Sequence, residues 1–340
     1  MSTLHRGRKR EKREHVRSSP SKTHVRYQGR NRVFFSGRIV TGRSLWTFLA
    51  THVFILLPVV PFTIFVCPWL WRVIGPAVPV IYAYLFLLAC TSMYRASLSD
   101  PGIIPRGLEP DPPRHNLDVP EASESIHIED PYSSPPQDSS SPPPRDIKVR
   151  GQLIQVKYCD TCEIYRPPRA SHCRTCDNCV EDHDHHCLWL NNCVGKRNYR
   201  FFISFIFSTS ILALYIMGFA LYRVISAVLD TRDRDLGQAL KDPPVAVALA
   251  VAIYVFLLIW GIGGLTFYHI WLITHNRTTH EQMRASAAAY NSPEGSPPPT
   301  HPFDTGNPLR NCARVLCVPI PSSHVDWQRA ALDRGQLTGV

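Results

Sequence analysis

The residues between Cys159 and Phe202 carry most of the candidate chemistry of this sequence. Seven of the chain's eleven cysteines lie in this stretch, together with four histidines. Cys162 follows Cys159, and Cys176 follows Cys173, at the two-residue spacing that lets two thiolates reach one metal ion. Structural zinc takes four Cys or His ligands in a tetrahedron. The stretch therefore predicts zinc binding.

Counting ligands leaves the role of Cys187 open. Six cysteines with two histidines fill two four-ligand sites, and so do seven cysteines with one histidine. The neighbours of Cys187 favour the first count, because Asp184, His185 and a thiol lie within four residues. A thiol needs a base to become a nucleophilic thiolate, and the base needs an orienting carboxylate. Cys187 is therefore interpreted as a nucleophile beside a metal ligand.

The order of residues in this stretch resembles the cysteine-rich domain of the DHHC protein S-acyltransferases. One departure is His183, since that family usually has a large apolar or aromatic residue before the aspartate. The resemblance is carried by Cys159, Cys162, Arg166, Pro167, Arg169, His172, Cys173, Cys176, Cys179, Asp184, His185, His186, Cys187, Trp189, Asn192, Cys193, Val194, Gly195, Asn198 and Phe202.

The resemblance implies a role for each of these side chains. Cys187 would be the nucleophile, His185 the base that takes its proton, and Asp184 the group that orients His185. Two structural zinc ions would be held in an interleaved pairing, which spacing alone does not select over a sequential one. The first set would be Cys159, Cys162, His172 and Cys179, and the second Cys173, Cys176, His186 and Cys193.

The same resemblance implies a long-chain acyl-CoA, palmitoyl-CoA above all, as co-substrate. Trp189 would lie near the carbonyl end of the acyl chain. Lys196, Arg197 and Arg200 follow the second ligand set and can meet the CoA phosphates. An equally plain interpretation makes these three cations the anchors of the next membrane span.

Four apolar stretches near or above the twenty residues needed to cross a bilayer exclude an ordinary soluble protein. The predicted fold is an α-helical membrane protein. It has four transmembrane helices and a cytosolic two-zinc cysteine-rich domain between the second and third. The predicted spans are residues 45–67, 74–94, 201–225 and 244–274.

Composition divides the rest of the chain. Residues 1–43 hold thirteen Lys and Arg against two acids. Because a membrane span follows, this charge favours lipid contact and membrane topology over nucleic-acid binding. The predicted segments are a disordered basic cytosolic arm (1–43), the first two spans (44–98), a DPG element with a disordered Pro/Ser-rich linker (99–150), the zinc-binding catalytic domain (151–200), the last two spans (201–275) and a cytosolic tail (276–340).

Two short motifs flank the spans. Asp100-Pro101-Gly102 resembles the DPG element of the family, and the run from Thr278 to Glu281 resembles its TTxE motif. The family's second threonine supports the active-site aspartate, so Thr279 is expected to hold Asp184. The tail resembles that of the fungal Ras-acylating enzymes, which implies Ras-like substrates and a small accessory subunit.

Together these features predict a protein S-palmitoyltransferase that modifies membrane-proximal cysteines of other proteins. Four spans and the basic arm place both termini in the cytosol, with the endoplasmic reticulum or Golgi as the membrane. Thiols are kept reduced in the cytosol, which favours zinc and a free nucleophile over disulfides for the cysteine-rich domain. The alternative is a membrane adaptor whose zinc domain binds a partner without catalysis. A channel or transporter is disfavoured because the spans lack charged residues at their centres.

Overall fold

Four long helices dominate the computed structural model, which describes residues 28–110, 112, 142–291 and 301–327. Each of the four is long and apolar enough to cross a membrane. The spanning helices are, in chain order, Leu45–Val73, Ala77–Leu98, Tyr199–Asp230 and Pro243–Thr274. The third packs against both the second and the fourth. The predicted fold class, with a cysteine-rich domain between the second and third spans, is confirmed.

The first spanning helix changes its winding where two prolines interrupt it. An α-helix over Leu45–Pro61 passes through a π-helical turn, Phe62–Val66, into a second α-helix, Cys67–Val73. Pro58 has no N–H, so the carbonyl of Phe54 lacks its helical partner. The hydroxyl of Tyr254, on the fourth helix, donates to that carbonyl at 3.3 Å. A neighbouring helix thus satisfies the group that the proline leaves free, as the bilayer interior requires.

Within the described residues, ten short strands form five antiparallel hairpins. The cysteine-rich domain is built on four of these hairpins, and two of its histidines stand directly opposite cysteines. His172 pairs with Cys179, and His186 pairs with Cys193. The strands are β1 Arg32–Phe34, β2 Ile39–Thr41, β3 Arg145–Val149, β4 Gln152–Val156, β5 Tyr158–Cys159, β6 Ile164–Tyr165, β7 Ser171–Cys173, β8 Asn178–Val180, β9 His185–Cys187 and β10 Asn192–Val194.

Residues 28–43 differ from the disordered arm that the sequence predicted. Strands β1 and β2 pair there, and the side chain of Val40 is fully buried against Ile103, Val325 and Trp327. Apolar residues distant in sequence therefore supply the core that the basic arm lacks by itself. The end of the predicted linker also folds, since residues 145–149 form β3. Residues 1–27 and most of that linker, 113–141, lie outside the described residues.

The DPG element joins the cysteine-rich domain to the tail. Asp100 accepts hydrogen bonds from the backbone N–H groups of Gly102 and Ile103, both at 2.9 Å. Its second carboxylate oxygen is 2.6 Å from both Arg197 Nη1 and Ser323 Oγ. Gly102 has φ +110°, a left-handed conformation that favours glycine. The Asp100 carboxylate therefore holds together the DPG turn, Arg197 of the cysteine-rich domain and Ser323 of the tail.

Two helices follow the fourth span and complete the described part of the tail. They are Thr279–Asn291 and Pro308–Leu316, and a shorter helix, Leu236–Ala239, lies between the third and fourth spans. One apolar cluster joins the cysteine-rich domain to the helices, and its buried members are Met93, Ala96, Cys187, Leu190, Val194, Phe202, Phe205 and Ile206. Cys187 thus lies where the domain meets the spanning helices.

Candidate active site

The structure brings the eight predicted ligands together in the two interleaved sets. The donor atoms of Cys159, Cys162, His172 and Cys179 lie within 4.8 Å of one another, as do those of Cys173, Cys176, His186 and Cys193. All eleven cysteines are free thiols, so no disulfide competes for these sulfurs. Two Cys3His groups that can hold zinc are therefore formed by the fold.

The distances between the donors fit a zinc tetrahedron. In the second set, His186 Nδ1 is 3.7 Å from Cys173 Sγ, 3.4 Å from Cys176 Sγ and 3.6 Å from Cys193 Sγ. Zinc bonds of 2.0–2.3 Å to nitrogen and sulfur give edges of about 3.5–3.8 Å between ligands. In the first set, His172 Nδ1 lies 3.4 to 3.9 Å from the three sulfurs. Both sets match the size of a closed structural site.

Strand β9 directs its neighbouring side chains to different partners. Successive side chains of a β-strand point to opposite faces, so His185 and Cys187 share one face and His186 takes the other. His186 reaches the second ligand set, whereas His185 Nδ1 is 2.6 Å from Asp184 Oδ2. The Cys187 side chain is buried beside the spanning helices. Three neighbouring residues thus face two separate groups of side chains.

The electrostatics of the Asp184–His185 pair favour removal of a proton from Cys187. Burial opposes protonation of His185, but the hydrogen bond to Asp184 and the nearby Cys187 thiol outweigh it and raise the pKa of His185 to about 10. Burial also works against the charge of Asp184, yet the bond to His185 and the N–H of Thr279 lower the pKa of that carboxyl. An imidazole that holds a proton this strongly is a good acceptor for the thiol proton.

The helix Thr279–Asn291 begins at the Asp184 carboxylate. Thr279 donates to it twice, from its backbone N–H to Oδ1 and from Oγ1 to Oδ2, both at 2.8 Å. The same turn forms a capping box. Glu281 N–H bonds to Thr278 Oγ1 at 3.1 Å, and Thr278 N–H bonds to Glu281 Oε2 at 2.9 Å. The TTxE run therefore both caps its helix and contacts the Asp184 carboxylate.

An ion pair fixes that helix to the cysteine-rich domain. Both Glu281 oxygens accept from the Arg169 guanidinium at 2.8 Å. Arg169 also donates to Asn276, at 3.1 Å to its side-chain oxygen and 3.0 Å to its carbonyl. Burial opposes the charge of Glu281, but bonds to His301 and Arg169 lower its pKa to about 2. The sequence suggested Arg169 only through the resemblance and assigned it no role.

Trp189 lies in the loop between β9 and β10, on the side of the first spanning helix. Its indole is half exposed and contacts the Phe54 ring edge-on, with centroids 5.8 Å apart. Hydroxyls of that helix hold the loop, since Thr47 donates to the Leu188 carbonyl at 2.7 Å and Thr51 to the Trp189 carbonyl at 2.9 Å. An apolar side chain beside Cys187 is thereby presented to the membrane region.

Two of the three cations expected near CoA line a cavity of about 490 Å³ on the side of the cysteine-rich domain. Lys196 and Arg200 line it, although Lys196 also pairs with Glu181, and Arg197 pairs with Asp100 as described above. The other cations at this cavity are Arg150, Arg169, Arg277 and Arg314. A second cavity, of about 460 Å³, is lined by Lys157, Arg166, Arg284, Ser171 and His280 among others. Both cavities suit an anionic ligand.

Sequence reasoning missed His269 and Tyr199, which the spanning helices bring to the site. His269 lies on the fourth helix, is 2% exposed, and has its Nδ1 3.1 Å from the Tyr199 hydroxyl. The Phe202 ring packs edge-on against both His185 and His269. A histidine inside an apolar span was the one available signal, because ionisable groups there are costly and commonly functional.

Sequence comparison with known proteins identifies relatives of this chain. A sequence profile of the DHHC palmitoyltransferase family matches residues 152–286. Palmitoyltransferase ZDHHC9 of Bos taurus is 39% identical over 313 residues, which cover 92% of this chain and 80% of that protein. The chain belongs to the DHHC palmitoyltransferase family. Palmitoyltransferase ZDHHC18 of Mus musculus is a further similar member, at 36% identity over 88% of this chain and 74% of its own length.

Other members of the family are longer. Palmitoyltransferase ZDHHC14 of Homo sapiens is 41% identical over 302 residues, which make up 88% of this chain and 58% of that relative. The chain thus spans less than two thirds of the length of ZDHHC14. The profile match covers the whole region from β4 to the capping box of the TTxE run, which includes both ligand sets and the Asp184–His185–Cys187 group.

Proposed function

We propose that this chain is a protein S-palmitoyltransferase in which Cys187 carries the acyl group. The observation that supports this most is the separation of chemistry on strand β9. His186 joins one of two complete ligand sets, and Cys187 remains outside both. The Asp184–His185 pair lies beside Cys187, and within the pair His185 Nδ1 is 2.6 Å from Asp184 Oδ2. Zinc alone would need the eight ligands but neither this pair nor the free thiol.

In the first step, His185 accepts the proton of the Cys187 thiol while Asp184 orients and stabilises the resulting imidazolium. The Cys187 sulfur attacks the thioester carbonyl of a long-chain acyl-CoA, of which palmitoyl-CoA is the proposed co-substrate. A bond forms between that sulfur and the carbonyl carbon, and the bond to the CoA sulfur breaks. The departing CoA thiolate takes the proton from His185 and leaves as free thiol.

In the second step, a cysteine of a protein substrate replaces CoA. Its thiol gives a proton to His185 and attacks the acyl-enzyme carbonyl, and Cys187 leaves as a thiolate that recovers the proton. The acceptor must lie near the membrane, because Cys187 is buried against the spanning helices. Trp189 would contact the carbonyl end of the chain, and the chain itself would leave water for the bilayer, since each exposed methylene costs about 0.8 kcal/mol.

Zinc would act as a scaffold in this scheme. Bound in the two Cys3His sets, it would hold the hairpins that carry His185 and Cys187, without an open position for substrate. His172 Nε2 is 3.5 Å from Asp177 Oδ1, the kind of outer contact that orients a ligating histidine. His185 would then carry out the proton transfers, with Asp184 orienting it and Thr279 holding Asp184.

The phosphates of CoA are proposed to lie near Lys196, Arg197 and Arg200. Lys196 and Arg200 line the 490 Å³ cavity together with four further arginines, which favours it as the phosphate site. Arg200→Glu should raise KM for palmitoyl-CoA several-fold and leave kcat nearly unchanged. Arg166→Glu, in the second cavity, is the matched comparison, and a larger rise in KM there would move the phosphates to that cavity.

Several finer features belong to the same proposal. The tail resemblance supports Ras-like GTPases as substrates, a small accessory subunit as a partner, and kinship with the fungal Ras-acylating enzymes. Basic residues before the first span support cytosolic termini and contact with membrane lipids, in the endoplasmic reticulum or Golgi membrane. No nucleic acid is expected as a partner. The predicted division into arm, spans, linker, catalytic domain and tail is kept with these proposals, except that residues 28–43 and 145–149 are folded as described above.

The deciding experiment uses the purified full-length chain in detergent. Wild-type protein incubated with labelled palmitoyl-CoA should form a hydroxylamine-sensitive adduct and pass the label to an added thiol substrate. Cys187→Ser should form neither. Two outcomes would favour the non-catalytic adaptor instead. One is an adduct of equal yield in Cys187→Ser, and the other is the absence of any adduct in monodisperse, zinc-replete wild type.

A further inference from the structure

A third group of polar side chains adjoins the Asp184–His185 pair and has no role in the mechanism above. His269 has a ring nitrogen within 4.8 Å of a donor atom of both Asp184 and His185. It lies on the fourth spanning helix and is almost completely buried. Burying an imidazole costs free energy unless its nitrogens find partners. Tyr199 supplies one, with its hydroxyl 3.1 Å from Nδ1.

A metal ion is one occupant that three such ligands allow, but the distances favour hydrogen bonding. Ligands bound at 2.0–2.2 Å to one ion stay about 3 Å or more apart. His185 Nδ1 and Asp184 Oδ2 are only 2.6 Å apart, the distance of a charge-assisted hydrogen bond. Thr279 already donates to both oxygens of the carboxylate. The group is therefore built around a shared proton, with His269 at its edge.

We propose that His269 is a positioning residue for acyl transfer, which together with Tyr199 orients the Asp184–His185 pair from the spanning helices. This rests on the proposed function of that pair. When Tyr199 donates to Nδ1, the His269 proton lies on Nε2, which leaves an N–H that can donate to the pair. The remaining separation of up to 4.8 Å closes through a small ring rotation or one bridging water.

The packing around His269 fits this role. Phe202 contacts the His269 ring edge-on at 4.8 Å and the His185 ring at 5.3 Å, and the two imidazole centroids lie 6.2 Å apart, so one phenyl ring packs against both imidazoles. Tyr199 begins the third helix and His269 lies on the fourth. The position of the pair thus depends on how these two helices pack.

The test compares three variants of the full-length protein for Cys187 acyl-enzyme formation. His269→Leu should lower kcat roughly tenfold or more with KM for palmitoyl-CoA unchanged, the scale of one lost hydrogen bond to a charged group. His269→Gln, which keeps an N–H donor, should recover part of that loss. Tyr199→Phe, which removes only the hydroxyl, should lower kcat several-fold.

A second histidine–tyrosine pair in the membrane region provides the matched control. His52 Nε2 is 2.8 Å from the Tyr94 hydroxyl, between the first and second spanning helices. His52→Leu should leave kcat within about twofold of wild type, because its two ring nitrogens bond to the Phe48 carbonyl and the Tyr94 hydroxyl and not to the Asp184–His185 pair. Zinc is measured in every variant and should stay near two per chain.

The outcomes separate this proposal from the proposed function. Wild-type acyl-enzyme that disappears in Cys187→Ser supports the function whatever His269 does. Equal kcat in wild type, His269→Leu and Tyr199→Phe overturns the positioning role alone. A third zinc in the wild type that His269→Leu loses also overturns it, since the group would then be a metal site. If His269→Leu does not fold, the kcat values of Tyr199→Phe and His269→Gln are compared with that of wild type instead. An unchanged kcat in both variants rejects the proposal.

Discussion

At the scale of single residues, the alternation of strand β9 explains how adjacent histidines take different roles. His186 stands opposite Cys193 in the hairpin and faces the second ligand set. His185, one residue earlier, faces Asp184 and the Cys187 side of the strand. A slip of one residue in the β9–β10 register would exchange these faces and destroy both sites.

The cysteines of this hairpin offer the first prediction. Cys187→Ser should abolish the acyl-enzyme and leave zinc near two per chain, because Cys187 lies outside both ligand sets. Cys193→Ser is the matched control and should lose about one zinc equivalent, since its sulfur is 3.5 Å from Cys176 Sγ and 3.6 Å from His186 Nδ1. Metal analysis by mass spectrometry measures the zinc content of both variants. Equal zinc loss in the two variants would make Cys187 a ligand.

The two histidines differ in the same way. His185→Ala should keep both zinc ions and slow acyl-enzyme formation roughly 100-fold or more, the scale of lost general-base catalysis. His186→Ala should lose a zinc ion and destabilise the domain, since metal binding in such sites is worth on the order of 10 kcal/mol. Zinc content and single-turnover acylation are measured on each. The division of roles is wrong if both variants lose the same metal.

At the scale of elements, the helix Thr279–Asn291 acts as a support for Asp184. Its first turn is held on one side by the Thr278–Glu281 capping box and on the other by Arg169. The Thr279 hydroxyl and N–H therefore meet the carboxylate from a fixed direction. A rigid helix start is well suited to this, because its free N–H groups and partial positive charge both favour a carboxylate.

Removing the Thr279 hydroxyl tests this support. Thr279→Val should slow acyl-enzyme formation about tenfold, because a hydrogen bond to a charged group is lost while the backbone contact remains. Thr279→Ser should stay near wild type. Thr274→Val serves as control, since that hydroxyl bonds only locally, to the Trp271 carbonyl at 2.8 Å and near the neighbouring His275 ring. A rate for Thr279→Val equal to that of Thr279→Ser would contradict the role.

At the scale of the whole molecule, the cysteine-rich domain and the spanning helices depend on different forces. The domain has three small apolar clusters among its hairpins and ligand sets, shares a fourth with the spanning helices, and has no large core of its own among the described residues. The helices keep their backbone bonds within each span. Zinc should therefore determine the order of the domain but not the presence of the helices.

Removal of the metal tests this division. A strong chelator under reducing conditions should release about two zinc ions per chain, abolish acyl-enzyme formation and expose residues 142–198 to protease. The far-UV circular dichroism of the four helices should change little. A variant that has lost only Cys187 should release its zinc at the same rate as wild type. Chelated protein that still forms the acyl-enzyme at the wild-type rate would show that the domain does not need the metal.

The sequence by itself determined the features that depend on nearby residues. The two-residue Cys spacings and the run lengths of the apolar stretches are local patterns, and each has few structural solutions. The four spans could therefore be predicted from such patterns alone, whereas the assignment of ligands to two sets and the contact between Thr279 and Asp184 needed the family resemblance. Strand β9 would have separated His185 from His186 as well, had a strand been predicted there.

Only the tertiary structure decided which distant residues meet. His269 is one polar residue in an apolar span, and nothing nearby in sequence relates it to Asp184, 85 positions earlier. Residues 28–43 looked disordered because their apolar partners, Ile103 and Trp327, come from the DPG turn and the tail. Burial and pKa depend on the side chains that surround a group in space. Chain packing sets those surroundings, so they could be known only once the helices and hairpins were in place.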